Sequence, residues 1–361
     1  MILSQSYWKK QVELPPQSDV IIVGGGFIGL SVAYWLMKTK PLLKITILDS
    51  QALGEGASGR NAGFLTKGSL SFYEHLSLSW GKSTAEDIYD FAQESINLVL
   101  SELKFEDFLS TSSFTLYPSI KEFNFKGFSR VRAILPQIKD CFEVRGEVSI
   151  NPMRLLKELE ARVREKGVAI FRGVECFQLI GKTVHTNFGN ITGEQIVLAL
   201  NGHMNTLVPG LVAPQRAQML CVELERDVLL PGLMYAPDDR VYFKSVGERK
   251  LVIGGKRLVE PIAENTAILG INLNIQTALE NYVISNIGSI KTVHARWSGI
   301  MGFSSDELPI IEKKENYYLI AGFSGHGMGF GFNASRNLSD MMIEGKSSFF
   351  QSIRNNSLQS E

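Results

Sequence analysis

Between Asp19 and Asp49 the spacing of apolar residues changes period twice. The unbroken apolar run from Asp19 to Val23 predicts a buried strand, Ala33, Leu36 and Met37 continue the apolar face of a helix, and Lys44 to Leu48 predicts the next strand. Gly24, Gly26 and Gly29 separate the first strand from the helix. In that order the glycines permit a tight turn, let the backbone approach a pyrophosphate, and let the helix pack closely on the sheet. A diphosphate then sits on the helix N-terminus. Asp49 closes the second strand, where a carboxylate accepts from ribose hydroxyls. The pattern predicts a dinucleotide-binding βαβ unit.

The rest of the chain alternates between helical and extended spacing. Gly54 to Gly63 reads GEGASGRNAG, a loop whose small side chains let backbone touch a ligand. Ala85 to Leu103 has helical spacing, and Phe105 to Pro118 turns to short extended pieces. Asn151 and Pro152 start a helix that Gly167 closes before a strand at Val168 to Phe171. Glycines at 181, 189 and 193 divide Gly173 to Leu200 into a small β-meander ending at Asn201 and Gly202. Gln218 to Leu224, Val241 to Lys244 and Leu251 to Ile253 predict an antiparallel sheet, and Ile271 to Ile287 a helix. An extended run from Thr292 to Trp297 follows. Tyr317 to Ala321 is a short buried strand, GFSGHGMGFG a second glycine-rich turn, and Ala334 to Ile343 a closing helix. There is no internal repeat and no low-complexity tract.

Composition narrows the function classes. The 361 residues suffice for two domains, and 44% apolar content is ordinary for a globular enzyme. Lysine plus arginine balances aspartate plus glutamate at 37 each, which removes a general electrostatic case for nucleic acid or an anionic membrane surface. Cys141, Cys176 and Cys221 lie far apart, with no metal-ligand spacing, as suits a reducing compartment. Met1 to Pro16 lacks the apolar core of a secretory leader, and no run reaches the ~18 apolar residues of a membrane span. These features predict a cytoplasmic protein without bound metal.

GGGFIGLSVAYWL, GASGRNAG, VLALNG, WSGIMGFSSDELPII and GFSGHGM occur in that order. Together they make the chain resemble the FAD-dependent amine and amino-acid oxidases, among them D-amino-acid, glycine, sarcosine and glutamylputrescine oxidases. The resemblance implies an α/β fold, a Rossmann-like FAD-binding domain interleaved with an antiparallel-sheet substrate domain. The FAD domain would take residues 1–82, 146–213 and 299–361, and the substrate domain 83–145 and 214–298. Gly24, Gly25, Gly26 and Gly29 would cradle the pyrophosphate, and Asp49 and Ser50 the adenosine ribose. Val174 and Gly202 would offer backbone. Ser58, Gly59, Arg60, Asn61, Ala62 and Gly63 would lie on the isoalloxazine side, as would Gly325, Gly327, Met328 and Gly329. A helix N-terminus aimed at the flavin pyrimidine stabilises the negative charge that develops there on reduction.

The reaction implied is hydride transfer from the carbon beside an amine nitrogen to flavin N5, followed by hydrolysis of the imine. His326 and Tyr242 are the candidate polar groups, with Trp297 as a wall. The chain also departs from its resemblance. Where glycine oxidases carry a carboxylate-binding arginine four residues after the motif tryptophan, Met301 stands, with Lys256 or Arg257 as candidate substitutes. Arg296 points to the opposite sheet face. Gly299 and Arg60 occupy positions that link flavin covalently in some relatives, which implies non-covalent FAD. Val252 replaces a lysine that assists oxygen activation, leaving oxygen, a quinone or an electron-transfer protein as acceptor. A small-molecule amine is the expected substrate. The alternatives are a wobble-uridine aminomethyl oxidase and a flavin-binding scaffold.

Overall fold

The computed structural model describes residues 13–358, so the first twelve positions of the leader reading lie outside the described residues. The chain opens as β1 (Gln17–Val23), α1 (Phe27–Thr39) and β2 (Ile45–Asp49). A single helical turn, α2 (Ala57–Arg60), and a two-residue strand, β3 (Phe64–Leu65), lead into α3 (Leu70–Trp80) and α4 (Lys82–Leu103). Next come β4 (Leu109–Tyr117), β5 (Ser129–Val131), β6 (Asp140–Ser149), α5 (Pro152–Glu165) and β7 (Ala169–Arg172). Asn151 caps α5 by accepting from the Met153 and Arg154 N–H groups, and Pro152 fills the first turn, where its missing donor costs nothing. The meander is β8 (Cys176–Ile180), β9 (Thr183–Thr186) and β10 (Gly189–Leu198). β11 (Ala213–Leu224), β12 (Gly232–Ala236), β13 (Val241–Val246), β14 (Lys250–Gly255), α6 (Leu273–Asn286) and β15 (Ile290–Phe303) follow. The described chain closes with β16 (Ile310–Lys313), β17 (Tyr318–Ala321), α7 (Gly327–Glu344) and α8 (Phe349–Leu358).

Among the described residues the strands form two sheets. The first runs β16-β17-β10-β1-β2-β7, parallel from β17 to β7, with the meander attached through β9. Val20, Ile22, Ile45 and Ile47 face α1, α5 and α7, while Ile21, Val23 and Leu48 face the meander. Burial on both faces explains why these strands read as unbroken apolar runs. The second sheet runs β15-β11-β14-β13-β12-β4-β6-β3 and is antiparallel except where β12 meets β4. Leu220, Val222, Phe243 and Ile253 pack against Leu279 and Val283 of α6. Its other face is left toward the glycine turns. The two sheets draw on alternating stretches of chain, and β6 and β15 run unbroken across positions 145/146 and 298/299.

The hydrophobic pattern gives no signal for α3, β6, β12 or α8. It also delays α7: the helix starts at Gly327, within the glycine-rich turn, rather than at Ala334. Glycine is a poor helix former, yet close packing demands it here. A Cβ on Gly329 would stand 2.0 Å from the Thr66 carbonyl oxygen, and one on Gly331 2.5 Å from Ile28 Cδ1. No helix among the described residues is long and apolar enough to cross a membrane.

Candidate cofactor cradle and active site

The first glycine turn is built by contact. Gly24 has φ +108°, and a Cβ there would lie 2.5 Å from the Ala199 carbonyl oxygen at the end of β10. A Cβ on Gly29 would lie 1.9 Å from the Gly24 carbonyl oxygen. The helix therefore starts pressed against the turn. Gly26 is the N-cap of α1 and offers no side chain, while Ser58 Oγ accepts from Phe27 N–H at 2.9 Å. Asp49 accepts from the N–H groups of Gly25 (2.8 Å) and Gln51 (2.9 Å) and from Arg172 Nη1 (2.9 Å). Arg172 also donates to Glu160 at 2.5 Å, so it ties β7 and α5 to the acid at the end of β2. Val174 spends its N–H on the Asp49 carbonyl, and Ser50 is exposed beside it.

The second loop is fixed from both sides. Asn61 donates to Ser58 O at 2.7 Å and accepts from Gly63 N–H at 2.8 Å, closing the turn after α2. Arg60 pairs with Glu55, and its carbonyl accepts from Trp297 Nε1 at 2.9 Å. Trp297 thus fastens this loop to β15. Gly63 has φ +75°, and a Cβ there would meet the Ile150 carbonyl at 2.2 Å and Lys244 Nζ at 2.7 Å. Ala62 is buried. A Cβ on Gly59 would meet Gly54 O at 2.3 Å, and one on Gly202 would meet Ile300 Cγ2 at 2.7 Å. Gly327 and Met328, in the first turn of α7, are half-buried. That turn adjoins β15, since a Cβ on Gly325 would sit 3.6 Å from Met301 Sδ.

Lys244 is a buried cation that sequence spacing does not single out. It donates to Ser149 Oγ (3.0 Å), Ile150 O (3.1 Å) and Gly63 O (3.2 Å), and burial pushes its ammonium down to about 8. It stands directly across from Val252 in the β13–β14 register.

These residues fit a dinucleotide. The glycine turns form a cradle that side chains would fill, and around it three buried polar atoms have no hydrogen-bond partner among the described residues: Arg172 Nε, Asn201 Oδ1 and Gln215 Oε1. Arg172 adjoins Asp49, and Gln215 lies across from Met301 in the β11–β15 register.

At the ends of β12, β13 and β14, beside the start of α3, lies a cavity of about 200 Å³. Ser69, Ser71, Tyr235, Arg240, Tyr242, Arg257, Leu258 and Met301 line it. Tyr242 is pushed up to about 12 by burial, so its phenol stays protonated, and it donates to Met219 Sδ at 3.3 Å. Tyr235 exchanges a 2.7 Å hydrogen bond with Thr66 Oγ1. Of the candidate polar groups and wall, Tyr242 and Met301 come together here, and Trp297, His326 and Lys256 do not line the cavity. His326 stacks on Phe72 with centroids 3.8 Å apart and bonds to Ser324 O at 3.1 Å. Burial pushes it down to about 4, leaving a neutral ring at the cap of α7. Lys256 pairs with Asp239 at 2.8 Å and lies over Tyr282. Arg296 pairs with Glu280 on the α6 side, as strand alternation requires. Arg172 and Lys244 are not marked by sequence spacing because their partners, Asp49, Glu160, Gly63, Ser149 and Ile150, lie far away along the chain or on other elements. Only the position of Arg172, a charge at a strand tip, hints at a site.

A family model described as FAD dependent oxidoreductase matches residues 19–341. The chain is 23% identical over 349 residues to the probable oxidoreductase OrdL of Rhizobium meliloti (strain 1021), covering 86% of this chain and 80% of that one. It is 26% identical over 351 residues to sarcosine oxidase subunit beta of the same organism, covering 87% and 82%. The structure of glycine oxidase from Geobacillus kaustophilus shares the fold with a TM-score of 0.74 at 18% identity, covering 93% of this chain and 96% of that one.

Proposed function

The chain belongs to the FAD dependent oxidoreductase family, and from that membership we propose that it oxidises the carbon–nitrogen bond of a small amine or of an N-substituted or D-amino acid. FAD, when bound, accepts the two electrons and carries the redox chemistry. Gly24, Gly26 and the start of α1 would hold its pyrophosphate and Asp49 its ribose. The loop from Ser58 to Gly63 and the start of α7 would hold the ring system. Binding is non-covalent in this reading, because Gly299 and Arg60 offer no linking thiol or imidazole. Two similar proteins are named a sarcosine oxidase subunit and a glycine oxidase, names that point to amino-acid amines.

The observation that carries the reading is the cavity, whose Met301 wall also faces the turn entering α7, where a Cβ on Gly325 would lie 3.6 Å from its sulfur. A substrate there is walled by Tyr242 and Met301, which hold it in one orientation. The Tyr242 phenol, protonated throughout the neutral range, donates a hydrogen bond and does not take up a proton. His326 is neutral and outside the cavity, so the amine has to arrive unprotonated. Anaerobic visible spectra with a panel of alkylamines, N-methyl amino acids and D-amino acids test the proposal. Bleaching of the flavin by one class is the expected result, and admission of air then distinguishes oxygen from a quinone or protein acceptor. A flavin spectrum that no amine changes refutes it.

A further inference from the structure

We propose that the loop between β14 and α6 is a docking surface for a second copy of this chain, so that the protein is a two-fold dimer joined through residues 258–273. The stretch reads LVEPIAENTAILGINL. Seven of the seventeen exposed large hydrophobic residues among the described ones fall in these sixteen positions, with Ile262 (88% exposed), Ile268 (73%) and Leu273 (70%) the most prominent. Single exposed apolar residues are ordinary, whereas a concentration of them marks an interaction site. The loop turns its polar groups inward instead. Glu264 is fully buried and accepts from Arg216 at 2.8 Å, Asn272 at 2.9 Å and Gln218 at 3.1 Å. Arg216 also donates to the Ala263 and Ile268 carbonyls, and Ser298 Oγ accepts from the Gly270 N–H at 3.1 Å. The other acid of the stretch, Glu260, is half-buried and accepts from Asn274 at 2.7 Å. A polar network thus holds the backbone from beneath, and the side chains left outermost are uncharged.

A second copy is the partner that fits this chemistry. The seven residues together expose the equivalent of about four whole aliphatic side chains, on the order of 500 Å² of apolar surface. One side of a stable interface takes about 800 Å², of which about 65% is apolar in a homodimer. The patch therefore supplies the apolar share of one half, and Asn265, Asn274 and Thr277, all exposed, supply polar groups around it. A two-fold interface sets a patch against its own copy, which like-charge repulsion opposes in a charged patch and does not oppose here. Recognition of a different protein draws on complementary charges, and these side chains carry none. The rigid backing also lowers the cost of ordering the loop on contact. Leu258 belongs both to the patch and to the cavity lining, so the second copy sits at the edge of the cavity.

Sedimentation velocity of the FAD-loaded protein, from submicromolar to tens of micromolar, tests the proposal. Wild type is expected to dimerise within that range. Ile262→Asp combined with Ile268→Asp puts carboxylates into both halves of the interface and weakens dimerisation at least about 100-fold. Leu42→Asp, at a site 95% exposed in the turn after α1, leaves it unchanged. Flavin content and circular dichroism report whether each variant folds. Hydrogen exchange of wild type needs no variant, and protection over residues 258–273 is expected to rise with protein concentration. Wild type that stays monomeric throughout the range overturns the proposal, as does a dimer that survives the double substitution or concentration-dependent protection confined to other segments. Monomers that cosediment with phosphatidylcholine vesicles overturn it too, and assign the patch to a bilayer surface. No readout involves an amine, so the outcome is independent of the reaction proposed above.

Discussion

Replacing Gly29 with alanine sets two effects against each other. Alanine improves helix propensity by about 1 kcal/mol, so an exposed helix would gain. At Gly29 the new methyl would stand 1.9 Å from the Gly24 carbonyl oxygen, 3.0 Å from its carbon and 3.3 Å from Ile22 Cγ2. Contact distances are about 3.5 Å, so the start of α1 has to move away by more than about 1 Å. It has little room to do so. Leu30, Ala33 and Leu36 are fully buried, and Trp35 Nε1 donates to Phe332 O on α7 at 2.9 Å. Overpacking of this kind costs about 1–3 kcal/mol, and the rigid surroundings put it at the upper end, for a net loss of about 2 kcal/mol. The displaced helix also moves the N–H groups that aim at the pyrophosphate, which lowers FAD affinity about tenfold or more. Thermal melting of the apoprotein and quenching of flavin fluorescence on titration measure the two effects separately. A Gly29→Ala protein that melts at or above wild type and binds FAD equally well refutes the packing argument.

The folded protein releases the Lys244 proton near 8, below its ordinary value, so it is the unfolded chain that holds the extra proton above that pH. Stability therefore rises by up to about 3 kcal/mol between pH 8 and 10.5, an increment seen by urea titration that Lys244→Met lacks; parallel pH profiles contradict it. Burial raises the Glu264 carboxyl, but hydrogen bonds from Arg216, Gln218 and Asn272 outweigh it and hold the group below its usual range. Its stabilisation is present at neutral pH and lost on acidification through that lowered value, and Glu264→Ala, which strands half-buried Arg216, costs up to about 3 kcal/mol in a denaturant titration. Trp297→Phe removes the donor to the Arg60 carbonyl and costs about 1 kcal/mol, with faster proteolysis in the 54–63 loop; unchanged cleavage argues against that clamp.

The βαβ opening was legible because its chemistry is local. Gly24, Gly26 and Gly29 announce a turn and a close helix in the residues themselves, and the strands are buried on both faces, so their apolar runs are unbroken. The start of α7 was not legible, because Gly329 and Gly331 sit in a helix only for the sake of Thr66 and Ile28, which are distant in sequence. β6 carries Arg145, Gly146 and Glu147 in its middle, and buried Glu147 is tolerated there because it pairs with buried Lys67. Alternation cannot anticipate such a partner. The cavity was half legible. Tyr242 and Met301 followed from motif position, whereas which of Lys256 and Arg257 lines the cavity depended on a left-handed backbone turn and on Asp239, neither of which spacing reveals.

The alternation of chain between the two sheets bears on the order of events during synthesis. The turn at Gly24 closes against Ala199, the acid at Asp49 is completed by Arg172, and α7 docks onto Thr66 from beyond residue 326. The first fifty residues carry the recognisable motif but not the finished pocket. Capture of FAD is thus a late step, confined to a chain that has grown past the start of α7 at Gly327. Until then the nascent protein has to keep the apolar strands β1 and β2 from associating elsewhere, without help from the cofactor.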